Sequence, residues 1–129
     1  MIVDSSAVVA ILVREPGHEK LLDHLSTAPG AGIGTPTLAE TGIVLAARLG
    51  VPGRSLLARF LEEAGLVAVP FGEHHWRAAV DAYTRFGKGR HPAALNFGDC
   101  MTYATARLAG EPLLCLGGDF ARTDLTLVA

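Results

Sequence analysis

The chain has 129 residues, 50% of them apolar, with 11 Lys and Arg against 13 Asp and Glu and a net charge of −2. That length suits one domain, residues 1–129, with a core of its own. The charge excludes a chain held on nucleic acid or an acidic membrane by a global basic field.

The apolar content is high enough that some of it is expected to face a partner. Met1-Ile2-Val3 runs straight into Asp4-Ser5-Ser6, three residues that cap helices, and then into an apolar stretch over residues 7–13. This reads as a buried strand feeding directly into a helix. That stretch falls far short of the roughly 18 residues of a membrane span, so no membrane partner is expected. Pro16-Gly17 punctuates the chain, and a second helix is expected over residues 19–25. Residues 29–34 form a glycine-rich loop with room for a short strand. Thr35 is expected to cap the next helix, with Pro36 at its first position and Gly50 closing it. Pro52-Gly53 opens an amphipathic helix through Leu56, Leu57, Phe60 and Leu61. Leu66-Val67-Ala68-Val69 reads as a strand stopped by Pro70. Residues 73–86 are helical, with Trp76, Ala79, Val80 and Tyr83 on one stripe that is core or interface. The loop that follows carries the only local concentration of positive charge, Arg85, Lys88 and Arg90. A helix over residues 96–108, a buried strand over 113–116 and a last edge strand over 125–128 complete the order. Strands alternating with helices specify an α/β fold with a parallel sheet covered on both faces. Cys100 and Cys115 lack the CxxC spacing of a zinc or redox site, so reduced thiols in the cytoplasm are expected.

Four acids stand out by position: Asp4, Glu40, Asp99 and Asp119. Each has a local role open to it. Asp4 can cap the first helix, Glu40 and Asp99 stand at capping-box spacing from Thr37 and Asn96, and Asp119 can occupy a turn. In a parallel sheet, however, the carboxyl ends of the strands share one edge, and ligand sites form there. Asp4 and Asp119 follow strands directly, and Glu40 and Asp99 lie in first helical turns, so all four can meet. No Lys or Arg adjoins any of them in sequence. Gathered carboxylates raise one another's pKa unless a cation neutralises them. An all-oxygen set suits Mg2+, with Mn2+ as a substitute, ions that keep waters and accept phosphate oxygens. Such an ion can activate a nucleophile for phosphoryl displacement.

The opening Met1-Ile2-Val3-Asp4-Ser5-Ser6-Ala7, the stretch Leu95-Asn96-Phe97-Gly98-Asp99-Cys100 and the tail Gly118-Asp119-Phe120-Ala121-Arg122-Thr123-Asp124 resemble PIN-domain ribonucleases. The closer likeness is to VapC-type toxins of type II toxin–antitoxin systems, and Pro36-Thr37-Leu38-Ala39-Glu40 falls where that family carries its second acid. The resemblance spans essentially the whole chain, and its most specific part is Leu-Asn-Phe-Gly-Asp-Cys. It implies a PIN-like three-layer α/β/α sandwich around a mostly parallel sheet of four to five strands. It also implies a Mg2+-dependent endoribonuclease that forms a homodimer and is neutralised by a cognate VapB-like antitoxin. Under that resemblance Asp4, Glu40, Asp99 and Asp119 are the metal and catalytic residues, supported by Ser5, Ser6 and Asn96. Arg85, Lys88 and Arg90 are then the candidates to grip an RNA backbone. Many relatives carry Asp or Asn immediately before the last motif aspartate, where this chain has Gly118.

Other motifs fail. The spacing of Gly30, Gly32 and Gly34 is not a dinucleotide fingerprint. Glu73-His74-His75 lacks the i, i+4 histidines of a zinc helix and reads as a solvated first turn, and His18, His24 and His91 are expected at the surface. A receiver-like phosphoacceptor would need a second acid beside Asp4 and a late lysine, but serines follow Asp4 and the only lysines are Lys20 and Lys88. A non-catalytic PIN-like module that binds nucleic acid or protein is the alternative function.

Overall fold

Four short strands, Ile2–Val3 (β1), Ala31–Gly34 (β2), Leu66–Val69 (β3) and Leu113–Leu114 (β4), pair in parallel in the order β3-β2-β1-β4. The computed structural model describes residues 1–128, and Ala129 lies outside them. Ile2 stands opposite Gly32 on one side and Leu113 on the other, which makes β1 a central strand. The helices are Ser5–Val13 (α1), His18–Thr27 (α2), Thr35–Leu49 (α3), Pro52–Ala64 (α4), Glu73–Phe86 (α5) and Phe97–Ala109 (α6), with a 3-10 turn at Phe120–Arg122. The expected edge strand over residues 125–128 shrinks to one bridge between Leu127 and Leu113. β4 has only two residues to offer, and Leu113 alone makes both bonds, to Thr126 and Val128.

β1, β2 and β4 persist at two to four residues because they are largely buried, so the pleat assigns neighbouring side chains to different cores, while the edge strand β3 leaves Val67 and Ala68 exposed. Val3, Ile33, Leu66 and Leu114 face a cluster built with α1, α2, α3 and α4. Ile2 and Leu113 face a second cluster built with α5 and α6, around the fully buried Tyr103 and Leu95. α1 lies between sheet and helices with Ala7 through Ile11 all buried, which explains its lack of a polar face.

Two details depart from expectation at α3. Gly34, not Thr35, is the N-cap and makes no side-chain bond, because Thr35 is already helical and Pro36 sits in the first turn. Thr37 forms no capping box with Glu40. Its side chain is 1% exposed, and its hydroxyl lies 3.0 Å from that of Thr102 on α6. Gly34 makes that approach possible, since a Cβ there would run into the Thr105 side chain of α6.

Candidate active site

Asp4, Glu40 and Asp119 come to the carboxyl edge of the sheet because their segments leave β1, β2 and β4 there, whereas Asp99 arrives on α6, which follows α5 and its loop. β1 ends at Asp4, which caps α1: Ser6 N–H donates to Oδ2 at 3.1 Å, and the Thr102 hydroxyl donates to Oδ1 at 2.6 Å. The Asp4 backbone N–H donates to Leu114 O, so β4 holds the same corner. β2 passes into α3 without a loop, so the helix starts at Thr35 and Glu40 lies in its second turn rather than the expected first, where Ser5 Oγ donates to Oε1 at 3.1 Å. Gly98, on α6, leaves room for that carboxylate, which a Cβ at this position would strike. At the start of α6 Asn96 Oδ1 accepts from Asp99 N at 2.9 Å and Asp99 Oδ2 accepts from Asn96 N at 3.1 Å, the expected capping box. Asp119 is exposed at the mouth of the 3-10 turn, and Ser6 Oγ ties the strand-to-turn segment down by accepting from Leu116 N. Ser5, Ser6 and Asn96 therefore each hold a different acid-bearing element.

The electrostatics bring the other three acids to bear on Asp99. Burial pushes the Asp99 carboxyl up, the Asn96 backbone bond pulls it back, and Asp4, Asp119 and Glu40 push it up further, to about 6. None of the four makes an ion pair: the acids in the salt bridges of the described residues are Glu111, Glu15, Glu63, Glu73, Asp81 and Asp124. Among the described residues, no three His, Cys, Asp or Glu side chains stand close enough together to form a ready-made metal site.

Sequence reading missed Cys115 as a neighbour of this site. Burial, and then Asp4, Asp119 and Asp99, push its thiol up to about 11. The signal was available, since Cys115 follows β4 as Asp4 follows β1. The basic loop divides. Arg85 is anchored by Asp124 at 3.2 Å and Asp81 at 3.7 Å, and its guanidinium lies over the Phe86 ring. Lys88 and Arg90 are exposed on a turn closed by Lys88 N–H donating to Leu95 O. The three make no hydrogen bond or ion pair with the four acids. The three histidines expected at the surface are half-buried instead. His18 Nδ1 lies 2.9 Å from Glu15 O, His91 Nδ1 accepts from Ala93 N, and His24 Nε2 is buried without a partner. His75 Nδ1 accepts from Gly72 N–H and so closes the first turn of α5.

Two grooves lie elsewhere, the first mixed in character and the second apolar. One, of about 700 Å3, runs between α1, α2 and α4 past Ile11, Leu22, Leu25 and Phe60. The other, of about 480 Å3, lies between α5 and α6, with Trp76, Val80 and Phe97 47%, 59% and 79% exposed around it. Among the described residues no helix is long and apolar enough to cross a membrane.

Residues 1–125 match the PIN domain family. The chain is 50% identical over 126 residues to Ribonuclease VapC36 of Mycobacterium tuberculosis, covering 97% of this chain and 91% of the relative. It is 42% identical over 128 residues to Ribonuclease VapC of Mycolicibacterium smegmatis, covering 99% of each. In three dimensions it is similar to VapC20 of Mycobacterium tuberculosis, described as a sarcin-ricin loop cleaving toxin, with a TM-score of 0.80 at 19% identity over 98% of this chain and 97% of that one. VapBC2 of Rickettsia felis, solved on a DNA fragment from their promoter, gives a TM-score of 0.76 at 18% identity over 98% and 96%. The sandwich, the order of the acids along the chain and these likenesses agree, and the chain belongs to the PIN domain family, on the branch that carries the VapC proteins.

Proposed function

We propose that this chain is a Mg2+-dependent endoribonuclease, with Mn2+ as a substitute ion, that hydrolyses RNA phosphodiester bonds and is neutralised by a cognate VapB-like antitoxin. One observation carries the reading: Asp4, Glu40, Asp99 and Asp119 converge on one sheet edge with no cation paired to any of them. The names of the VapC relatives favour RNA as the substrate, and the VapBC2 assembly favours an antitoxin as the partner.

In hydrolysis a water oxygen bonds to phosphorus, one P–O ester bond breaks, and a proton reaches the departing oxygen. Asp4, Glu40, Asp99 and Asp119 would hold the ion, which when bound polarises the phosphate and lowers the pKa of the attacking water. The chain's own part is orientation. Ser5 fixes the Glu40 carboxylate, Ser6 N–H and Thr102 fix Asp4, and Asn96 fixes Asp99 through Oδ2, leaving Oδ1 to hold the proton near pH 6 in the metal-free protein. Lys88 and Arg90, exposed and without a carboxylate partner among the described residues, are better placed than Arg85 to meet an RNA backbone. The two grooves give room for two protein contacts, a second copy of the chain and an antitoxin segment. The free thiols of Cys100 and Cys115 favour the cytoplasm.

Purified chain, free of antitoxin, should cut total RNA into discrete fragments with Mg2+ or Mn2+. EDTA should stop the cleavage, and so should Asp99→Asn. A folded wild-type protein that cuts no RNA with either ion would overturn the proposal and favour a non-catalytic binding module.

A further inference from the structure

Beneath the acids lies a chain of buried hydroxyls to which the sequence motifs assign no role. Thr102 and Thr37 are each 1% exposed. Thr102 Oγ1 donates to Asp4 Oδ1 at 2.6 Å, and Thr37 Oγ1 lies 3.0 Å from Thr102 Oγ1. A carboxylate only accepts, and a hydroxyl has one proton to give. With the Thr102 proton committed to Asp4, the bond between the two threonines must run from Thr37 to Thr102. The relay thus has one direction, Thr37 to Thr102 to Asp4.

Its placement matters as much as its direction. Thr102 stands three residues after Asp99 on α6, and Thr37 stands three before Glu40 on α3, so each lies one turn along the same helix face as an acid. Asp4 terminates β1. Three elements that arrive from distant parts of the chain, each carrying one acid, are therefore bonded to one another directly under the site. Gly34 permits the close packing of α6 on this corner, and Gly98 leaves Glu40 its space above it. A valine at either threonine would fill the same volume, so packing alone does not ask for the hydroxyls.

We infer that Thr102, backed by Thr37, is a positioning residue for the metal site: it fixes the orientation of the Asp4 carboxylate and the spacing of Asp4 from Asp99 and Glu40. This rests on the metal-dependent reading above. Outer partners of metal-binding carboxylates are typically worth about ten- to a hundredfold in affinity.

The test is Mn2+ binding to the full chain, followed by electron paramagnetic resonance, with RNA cleavage measured in parallel. Thr102→Val should weaken Mn2+ binding about tenfold, and Thr102→Ser, which restores the donor, should bind like the wild type. Thr37→Val should weaken it roughly threefold, because its effect passes through a second hydrogen bond. Thr105→Val, which loses only a bond to Met101 O on the same helix, should leave binding unchanged. Asp99→Asn separates the two levels of the argument. If Asp99→Asn loses Mn2+ while Thr102→Val binds it like the wild type, the relay is wrong and the metal reading stands. If the wild type binds no Mn2+, or Asp99→Asn binds it equally well, both fall. Equal losses in Thr105→Val and Thr102→Val would also overturn the relay, reducing it to general packing. Should Thr102→Val fail to fold, Thr37→Val decides, since Thr37 reaches Asp4 only through Thr102.

Discussion

Helix α6 serves two acids and treats them in opposite ways. Asp99, in its first turn, is half-buried among Asp4, Asp119 and Glu40, and its carboxyl is pushed up to about 6. Further along, Asp124 leans on the same helix, where Tyr103 OH donates to it at 2.7 Å and Arg107 lies 3.5 Å away, with Arg85 completing the group at 3.2 Å. Burial pushes Asp124 up as well, but Tyr103, Arg85 and Arg107 outweigh it and hold the carboxyl below its usual value. One acid has every partner it needs inside the fold, and the other has neighbours of its own sign. A structural carboxylate such as Asp124 is neutralised by the chain that carries it, whereas Asp99 is left among carboxylates with no cation of the described residues paired to it.

The contrast breaks most sharply at Asp119, which is exposed and has no side-chain bond among the described residues. Asp119→Asn should reduce RNA cleavage by at least about a hundredfold, the upper range for even an outer partner of a metal. Its melting temperature should not fall. An unchanged cleavage rate would remove Asp119 from the site. Gly98→Ala comes next. The new methyl displaces the flexible end of Glu40 rather than backbone, so cleavage should fall about tenfold or more through misplacement while the fold stays intact. Wild-type cleavage in that variant would mean the Glu40 position is immaterial.

At the other acid the expected signs reverse. Tyr103→Phe removes the buried hydroxyl that donates to Asp124 and should cost about 1 kcal/mol, roughly 4 °C in melting temperature, with cleavage retained. The two acids also predict opposite pH slopes for the metal-free protein. Asp99 is raised in the folded state, so its contribution is fully present below its unfolded value near pH 4 and is lost as pH rises through about 6. Asp124 is lowered, so its contribution is present above that unfolded value and is lost as pH falls through its depressed folded one. Denaturant unfolding in EDTA between pH 3 and 7, compared with Asp99→Asn, should show the first slope flattened and the second intact. The smallest effect belongs to the basic turn. Lys88→Ala with Arg90→Ala should weaken RNA binding only a few-fold and reduce its salt dependence by about one unit of slope per lost phosphate contact. An identical loss from Arg85→Ala without loss of stability would show that its anchoring to Asp124 and Asp81 does not keep it from RNA.

Much of this protein could be read along the chain. The strand-to-helix passage at Asp4, the capping box of Asn96 and Asp99, and the alternation that makes the sheet parallel are local, governed by backbone preferences and by spacings of a few residues. The quartet was legible because a parallel sheet sends every strand's carboxyl end to one edge. Local rules failed where a distant partner won. Thr37 had the spacing of a cap, but it turned inward to Thr102, 65 residues away. Trp76, Val80 and Tyr83 formed an apolar stripe that sequence could not divide between core and interface, and the position of α6 left them exposed. Arg85 looked like its basic neighbours until the tail returned Asp124 to its side. Sequence by itself determined that Asp4 stands at a strand end and Asp99 at a helix start, since those follow from short-range chemistry. Only the tertiary structure decided which of them would be neutralised and which left bare, because charge pairing depends on distance in space, and side chains far apart in the chain supply it.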